Sequence, residues 1–253
     1  MTKKEIAALL DQAARTAQAV PQMAAANLIS LSEAYEIQWE CIDLRLKRGE
    51  KITGHKLGFT SRAKMIQMGV SDLIWGILTD QMELTPGAQV DLTQWIHPRV
   101  EPEIAFRVSE NIDREISREE LPQFIDSMAA ALEIIDSRYE DFKFSLEDVV
   151  ADNCSSTGYV VGDWHPLSMD ISDLKIDFLE NDQLVDTATS AAILDDPLLS
   201  ILALSRLAEQ SRVTIEKGQV ILAGAATAAH YMQPGNRYST TIERLGTVGF
   251  SVQ

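Results

Sequence analysis

Two glutamates separated by a single residue, Glu101 and Glu103, lie where the residue pattern of 103–108 predicts a strand. Residues two apart in a strand project from the same face, so the two carboxylates are predicted to lie together. Glu133 belongs to a second short apolar run, residues 132–136, and would complete a three-carboxylate cluster if that run pairs nearby. Clustered carboxylates repel unless a cation neutralises them, and an all-oxygen set suits Mg²⁺ or Mn²⁺ rather than zinc. The alternative is three exposed surface glutamates, against which their apolar surroundings argue.

A lysine between glycines forms a second group of interest. Lys56 lies between Gly54 and Gly58, on a segment (residues 52–59) that predicts a strand ending in a tight loop. Glycines allow the backbone to approach a ligand closely. A lysine placed there can neutralise a carboxylate or donate to a developing oxyanion. Taken alone, the pattern is a weak indication, because a lysine is usually a solvated charge.

Small polar residues also separate two apolar runs at residues 149–157. Asp, Asn and Ser side chains bond to their own backbone in turns, so a capped turn is the simplest interpretation of this segment. None of these three groups identifies a function by itself.

Composition excludes several classes of function. The chain has 253 residues with 22 Lys and Arg against 38 Asp and Glu, a formal net charge of −16, which argues against a nucleic-acid or anionic-membrane partner. The apolar stretches are shorter than the roughly 20 residues that span a bilayer, and no apolar signal region follows Met1. The two cysteines, Cys41 and Cys154, cannot form a disulfide framework. We therefore expect a cytoplasmic protein.

Helical signals dominate the first seventy residues. Thr2 is a predicted cap for a first helix, Ser32 begins a second that ends at Gly49, and residues 61–68 predict a short third helix. Residues 1–70 are thus predicted to form a small helix-rich N-terminal part, which includes the Lys56 segment.

Residues 71–253 predict a β-rich catalytic domain. The predicted strands are short and separated by turns, with a hairpin at residues 180–183: residues 76–78, 100–108, 132–136, 158–162, 174–178 and 220–222. Two helices interrupt them, one from Ser117 to about Ala130 and one from Asp196 to about Gln210. This pattern predicts an α+β or rolled β-sheet domain rather than a doubly wound fold. No nucleotide-binding glycine pattern is present.

Four segments, in this order and spacing, resemble a known family. They are residues 56–61 (Lys-Leu-Gly-Phe-Thr-Ser), 98–106 (Pro-Arg-Val-Glu-Pro-Glu-Ile-Ala-Phe), 133–138 (Glu-Ile-Ile-Asp-Ser-Arg) and 150–156 (Val-Ala-Asp-Asn-Cys-Ser-Ser). The chain resembles the 2-oxopent-4-enoate hydratase and 4-oxalocrotonate decarboxylase group, within the fumarylacetoacetate-hydrolase-like fold. The resemblance extends from about Leu31 to the end and implies a rolled mixed β-sheet.

The resemblance also implies roles for individual residues. Glu101, Glu103 and Glu133 would bind a Mg²⁺ or Mn²⁺ ion that the 1-carboxylate and 2-oxo oxygens of a 2-oxo acid chelate. Lys56 matches the catalytic lysine of the family, and Ser155 matches a serine near the substrate. A further position, Arg138, is either an anion contact for the substrate or an anchor for Glu133.

One position favours decarboxylation over hydration. The hydratases carry an aspartate before an aromatic-Gly pair, and Ile74 occupies the matching place in Leu73-Ile74-Trp75-Gly76. Adding water requires groups that activate the water and protonate carbon, and isoleucine does neither. Residues 136–144 also resemble the decarboxylase version of the segment. The expected reaction is decarboxylation of 2-oxo-3-hexenedioate in the meta-cleavage degradation of aromatic compounds. The alternatives are a 2-hydroxypenta-2,4-dienoate hydratase and a non-catalytic binding subunit.

The chain departs from the family pattern near its C-terminus. The usual Gly-His-Pro is Asp195-Asp196-Pro197, and the usual Thr-Gly-Gly is Ala223-Gly224-Ala225, with Thr227 kept at a comparable place. These loops approach the substrate in the family, so Thr227 is predicted to contact it and the distal group of the substrate stays open. The resemblance further implies a homo-oligomer and a complex with the hydratase that consumes the product.

Overall fold

The computed structural model describes residues 1–60 and 73–253. Within these residues the α-helices are α1 (Lys3–Thr16), α2 (Ala24–Asn27), α3 (Leu31–Lys47), α4 (Leu121–Phe124), α5 (Leu146–Ala151) and α6 (Leu198–Ser211). Single 3-10 turns lie at Asp80–Met82, Leu92–Gln94, Arg118–Glu120, Glu140–Phe142, Asn153–Ser155 and Ser190–Ala192.

The predicted helix starts and ends are largely confirmed. Thr2 caps α1 and forms a capping box with Glu5. The start predicted at Ser32 is wrong by two residues, because Ser30 is the cap and forms the box with Glu33. Helix α6 follows Pro197 and ends at Ser211, within one residue of the predicted end. The helix predicted at residues 61–68 and the boundary predicted after residue 70 lie outside the described residues.

The strands form two mixed sheets. They are β1 (Ile52–Gly58), β2 (Ile74–Thr79), β3 (Glu83–Leu84), β4 (Gln89–Val90), β5 (Arg99–Val108), β6 (Ile125–Ile135), β7 (Ser156–Val161), β8 (His165–Pro166), β9 (Lys175–Glu180), β10 (Gln183–Thr189), β11 (Val220–Leu222), β12 (His230–Tyr231), β13 (Arg237–Ile242) and β14 (Gly246–Val252). The larger sheet has the order β2-β1-β11-β5-β6-β7-β3, with β12 beside β5 and β8 beside β6. The smaller sheet, β10-β9-β13-β14-β4, packs with β13 and β14 against β6. The predicted α+β class is confirmed.

One helix prediction is wrong in its length. Ser117 does form a capping box with Glu120, but the helical turns end at Phe124 and β6 begins at Ile125 instead of the helix continuing to Ala130. Strand β6 pairs with β5 on one side and β7 on the other, so its backbone bonds are made in the sheet. The alanines of β6 are buried on both faces of this sheet, where tertiary packing outweighs their preference for helix.

The N-terminal helices pack onto the edge of the sheet that carries the lysine segment. Strand β1 lies between β11, with which it pairs in parallel, and β2, with which it pairs antiparallel. Apolar side chains of α1, α3 and α5 meet those of Ile74 and Cys154 in one buried cluster. The larger core lies around β5, β6 and α6. No helix in the described part of the chain combines the length and apolar character needed to cross a bilayer.

Candidate active site

The pairing of β5 with β6 brings the three glutamates together. Glu101 lies directly opposite Glu133 in the antiparallel register, and Glu103 lies opposite Ala131. Since alternate residues share a face, all three carboxylates project from the same side, where one oxygen of each lies within 4.8 Å of the others. Their exposed fractions are 5% for Glu101 and 0% for Glu103 and Glu133. Three buried carboxylates at this spacing would destabilise the fold without compensating positive charge.

The carboxylates are only partly satisfied by the protein. Gly224 N–H donates to Glu103 Oε2 at 2.7 Å, and Ser156 Oγ donates to Glu133 Oε1 at 3.0 Å. Glu101 Oε2 and Glu103 Oε1 are buried and have no hydrogen-bond partner among the described residues. Oxygen atoms left free in this way fit a hard divalent cation, which these three glutamates would hold.

Burial and mutual repulsion raise the pKa values of two glutamates in the cluster. Burial raises the pKa of Glu103 well above its usual range, and the charges of Glu133 and Glu101 raise it further. Burial also raises the pKa of Glu133, although Lys56 opposes this shift. Both pKa shifts mean that the ionised carboxylates are destabilised here, and an additional positive charge would stabilise them.

Gly224 has to be glycine for this arrangement. Its φ is +109°, and a Cβ at this position would lie 2.2 Å from Thr60 Oγ1. This glycine is retained where the flanking residues depart from the family pattern, and its N–H holds Glu103 in place.

Lys56 lies beside the cluster as a buried cation. Its Nζ is 2.9 Å from Glu133 Oε2 and donates to Cys154 O at 3.2 Å. Burial lowers the pKa of Lys56, but the charge of Glu133, followed by that of Glu101, outweighs burial and leaves the pKa above its ordinary value. Gly76, the cross-strand partner of Lys56, has no side chain to obstruct it: a Cβ there would lie 3.3 Å from Lys56 Cδ.

An unusual turn aims the polar segment at this lysine. Asn153, Cys154 and Ser155 have φ values of 49°, 53° and 59°, three consecutive residues in the left-handed region. The Asn153 amide holds the turn against β2, accepting from Ile77 N–H and donating to Ile77 O, both at 2.8 Å. Ser155 Oγ is buried and lacks a hydrogen-bond partner within residues 1–60 and 73–253. The strained turn thus presents a free hydroxyl and the Cys154 carbonyl to the site.

A cavity of about 640 Å³ opens over these groups. Lys56, Ile74, Glu101 and Ser155 line it together. Thr227 is not among its lining residues: its Oγ1 donates to Ala228 O at 3.1 Å, and Ala228 and Ala229 face the cavity instead. The structure therefore gathers four of the predicted residues around one space, and Thr227 is not among them.

The structure does not bring Arg138 to this cavity. The guanidinium is buried against Asp152, to which Nε donates, and it also donates to Asp136 O at 2.6 Å and Thr157 Oγ1 at 2.9 Å. Its charge is therefore already compensated and is not available to a substrate anion. The predicted alternative, an anchor for Glu133, is replaced by one for Asp152, which lies next to the left-handed turn.

Several lining residues escaped the sequence prediction, and Arg99 and Phe142 are two of them. Arg99 and Phe142 both face the cavity. The period of two that relates Glu101 to Glu103 extends back to Arg99, so this residue could have been found from the strand pattern. Phe142 has a φ of 57° in a 3-10 turn, and no sequence periodicity marks such a position.

Comparisons with known proteins agree with the sequence resemblance. Residues 63–253 match the model of the fumarylacetoacetate (FAA) hydrolase C-terminal family. A 4-oxalocrotonate decarboxylase of Pseudomonas sp. is 46% identical over 99% of this chain and 98% of its own length. A 2-hydroxyhexa-2,4-dienoate hydratase of Comamonas testosteroni is 31% identical over 87% of this chain and 85% of its own length. The solved structure of the Pseudomonas putida G7 4-oxalocrotonate decarboxylase with magnesium and adipate aligns with a TM-score of 0.92 at 32% identity, covering 100% of this chain and 99% of that one.

Proposed function

Because this chain belongs to the fumarylacetoacetate hydrolase family, as the sequence resemblance predicted, we propose that it decarboxylates 2-oxo-3-hexenedioate to 2-hydroxypenta-2,4-dienoate and CO₂. It is accordingly an enzyme of the carbon–carbon lyase class that depends on a divalent cation, Mg²⁺ or Mn²⁺. The relatives named 4-oxalocrotonate decarboxylase support this reaction, and from the family resemblance we expect it to serve the degradation of aromatic compounds.

The observation that carries the proposal is the composition of the cavity wall. Ile74, buried in the apolar cluster, stands where the hydratase pattern has an aspartate. Among the described lining residues the only carboxylate is Glu101, which already belongs to the metal-binding cluster. Hydration needs a group that activates water and one that protonates carbon. The wall is therefore better suited to a reaction that needs neither.

The decarboxylation uses the groups that are present. The C5–C6 bond breaks and CO₂ leaves, while the electron pair moves through the conjugated chain to the 2-oxo oxygen, and one proton completes the dienol. A divalent cation, when bound, neutralises the glutamates and acts as a Lewis acid toward the 2-oxo acid. Lys56 donates a hydrogen bond to the same oxygen as its charge develops. Ser155, with its free hydroxyl, orients the 2-oxo acid.

The proposal is tested with two substrates and one inactive variant. With Mg²⁺ present, the purified protein should release CO₂ from 2-oxo-3-hexenedioate and leave 2-hydroxypenta-2,4-dienoate unhydrated. Glu103→Gln keeps the shape of the side chain while removing a ligand charge, so it should abolish CO₂ release. Hydration without CO₂ release would establish the hydratase instead. An unchanged rate in Glu103→Gln would contradict the metal-dependent reaction.

Association remains a further part of the proposal. From the family resemblance we expect a homo-oligomer, and a complex with the hydratase that removes the dienol. Light scattering of the protein alone and mixed with that hydratase tests both expectations. A monomer in both measurements would refute them.

A further inference from the structure

Three cations among the described residues line the cavity, and they differ in how their charges are compensated. Lys56 lies 2.9 Å from Glu133 Oε2. Lys143, largely exposed, lies 3.2 Å from Asp141 Oδ2. Arg99 has no carboxylate within ion-pair distance in the described part of the chain, although it lines the same space as Glu101. Arg99 is thus a cavity-lining arginine whose charge no described carboxylate compensates.

The surroundings of Arg99 hold it in a fixed orientation. Its guanidinium carbon lies 3.9 Å from the centre of the Phe142 ring and 4.2 Å from that of the Tyr231 ring. One terminal nitrogen, Nη2, donates to the Tyr231 hydroxyl at 2.6 Å, whereas the buried Nε has no partner among the described residues. Stacking occupies the faces of a guanidinium and leaves its edge free for hydrogen bonds in the plane. Such an edge matches the geometry of a carboxylate.

The position of Arg99 along β5 sets the length of ligand that it can reach. Arg99, Glu101 and Glu103 are alternate residues of β5, so they share one face at intervals of about 7 Å. A six-carbon chain extends over about 6 Å between its terminal carbons, from five bonds of roughly 1.5 Å each. A linear diacid with one end at the glutamate cluster therefore has its other end beside Arg99. Ile135, the partner of Arg99 on β6, supplies an apolar wall between the two ends.

We propose that Arg99 binds the distal carboxylate of the substrate and makes the cavity selective for 2-oxo dicarboxylates over 2-oxo monocarboxylates, a proposal that rests on the proposed function. This contact is stronger in the complex with bound substrate than in the transition state. As the C5–C6 bond breaks, the distal carboxylate becomes neutral CO₂ and its attraction to the guanidinium declines. Loss of Arg99 should therefore raise KM without lowering kcat.

Two unreactive analogues isolate the contact. 2-Oxoadipate and 2-oxohexanoate share the 2-oxo acid group and the chain length, differ in the distal carboxylate, and lack the conjugated double bond. Calorimetry with the Mg²⁺-loaded protein should show about 10- to 100-fold tighter binding of 2-oxoadipate, from one or two charge-assisted hydrogen bonds. Arg99→Met should abolish this preference by weakening 2-oxoadipate alone, and Arg99→Lys, which keeps the charge without the planar edge, should leave an intermediate preference.

Arg107→Met is the matched control. Arg107 lies on the same strand, its guanidinium lies 5.1 Å from the Trp164 ring and pairs with Asp126, and it does not line the cavity. This substitution should leave the affinity for both analogues unchanged. A preference that survives in Arg99→Met, or equal weakening of both analogues by that substitution, would overturn the proposal.

The outcomes separate this proposal from the proposed function. A dicarboxylate preference that disappears in Arg99→Met, in a protein that releases no CO₂, would retain the Arg99 site and refute the decarboxylase. CO₂ release by a wild-type protein that binds both analogues equally would retain the decarboxylase and refute the Arg99 site. If neither analogue binds the wild-type protein, the Arg99 site is refuted, and the decarboxylase is refuted with it only if CO₂ release is also absent.

Discussion

Replacing Lys56 by methionine tests the chemical role proposed for this residue. The ammonium has three N–H donors, one of which bonds to Cys154 O at 3.2 Å, and Nζ forms an ion pair with Glu133 Oε2 at 2.9 Å. We expect a remaining donor to serve a substrate oxygen in the adjoining cavity. Methionine has a similar length and fits the narrow passage beside Gly76, but it cannot donate.

The expected effect on the reaction is large and falls mainly on kcat. A donor aimed at developing negative charge contributes roughly 10²- to 10³-fold in kcat, about 3–4 kcal/mol. The uncharged ketone accepts only a weak hydrogen bond in the ground state, so KM should change little. When all three glutamates are ionised around a cation they carry −3 and Lys56 carries +1, so their sum of −2 becomes −3 in the variant. Metal affinity should consequently be retained or increase.

Steady-state kinetics and metal titration measure the two effects in the same preparation. Lys143→Met is the matched control: Lys143 also lines the cavity, but its side chain is 71% exposed and paired with Asp141, so both kinetic constants should stay close to wild type. A rise in KM at unchanged kcat would refute the reasoning, because Lys56 would then only anchor the substrate. Lost metal binding would show instead that Lys56 organises the glutamates.

Three further predictions concern the metal, a glycine and a buried histidine. EDTA should abolish activity and Mg²⁺ or Mn²⁺ should restore it, because buried carboxylate oxygens of the cluster lack hydrogen-bond partners among the described residues. Full activity in chelator would show that the cluster is purely structural. Gly224→Ala should lower the free energy of unfolding by roughly 1–3 kcal/mol and weaken metal binding, because its Cβ would lie 2.2 Å from Thr60 Oγ1. Denaturation and metal titration measure the two effects. The control is Gly218→Ala, also at positive φ but in open space, which should leave the metal affinity unchanged. Burial lowers the pKa of His55 from its ordinary 6.5 to about 4, so the unfolded chain takes up this proton first and stability should fall by about 3 kcal/mol as pH drops from 6.5 to 4. His55→Phe should remove that part of the pH dependence in urea denaturation, and a slope equal to that of wild type would disprove the assignment.

Local signals in the sequence were sufficient wherever a single element decides the outcome. The Thr2 cap, the proline before α6 and the alternation through Glu101 and Glu103 are properties of one helix or one strand. The turn at residues 180–183 was predictable for the same reason, and Asn181 and Asp182 adopt the positive φ values that such turns require. The carboxylate pair and the type of cation that it suits followed from residue chemistry alone.

Tertiary structure decided everything that depends on a neighbouring strand. The alanines of β6 have a high helix propensity, yet pairing with β5 and β7 makes them strand. Only the register of β5 with β6 places Glu133 opposite Glu101, because a shift of one residue would turn Glu133 to the other face. Arg138 shows the same dependence: the family resemblance suggested a substrate contact or an anchor for Glu133, but in the fold its guanidinium pairs with Asp152. Arg99 is available to a ligand for the opposite reason, since the fold surrounds it with aromatic rings and supplies no carboxylate from the described residues. Sequence thus determined which side chains have the chemistry, while pairing across strands decided which charges are already satisfied and which remain free.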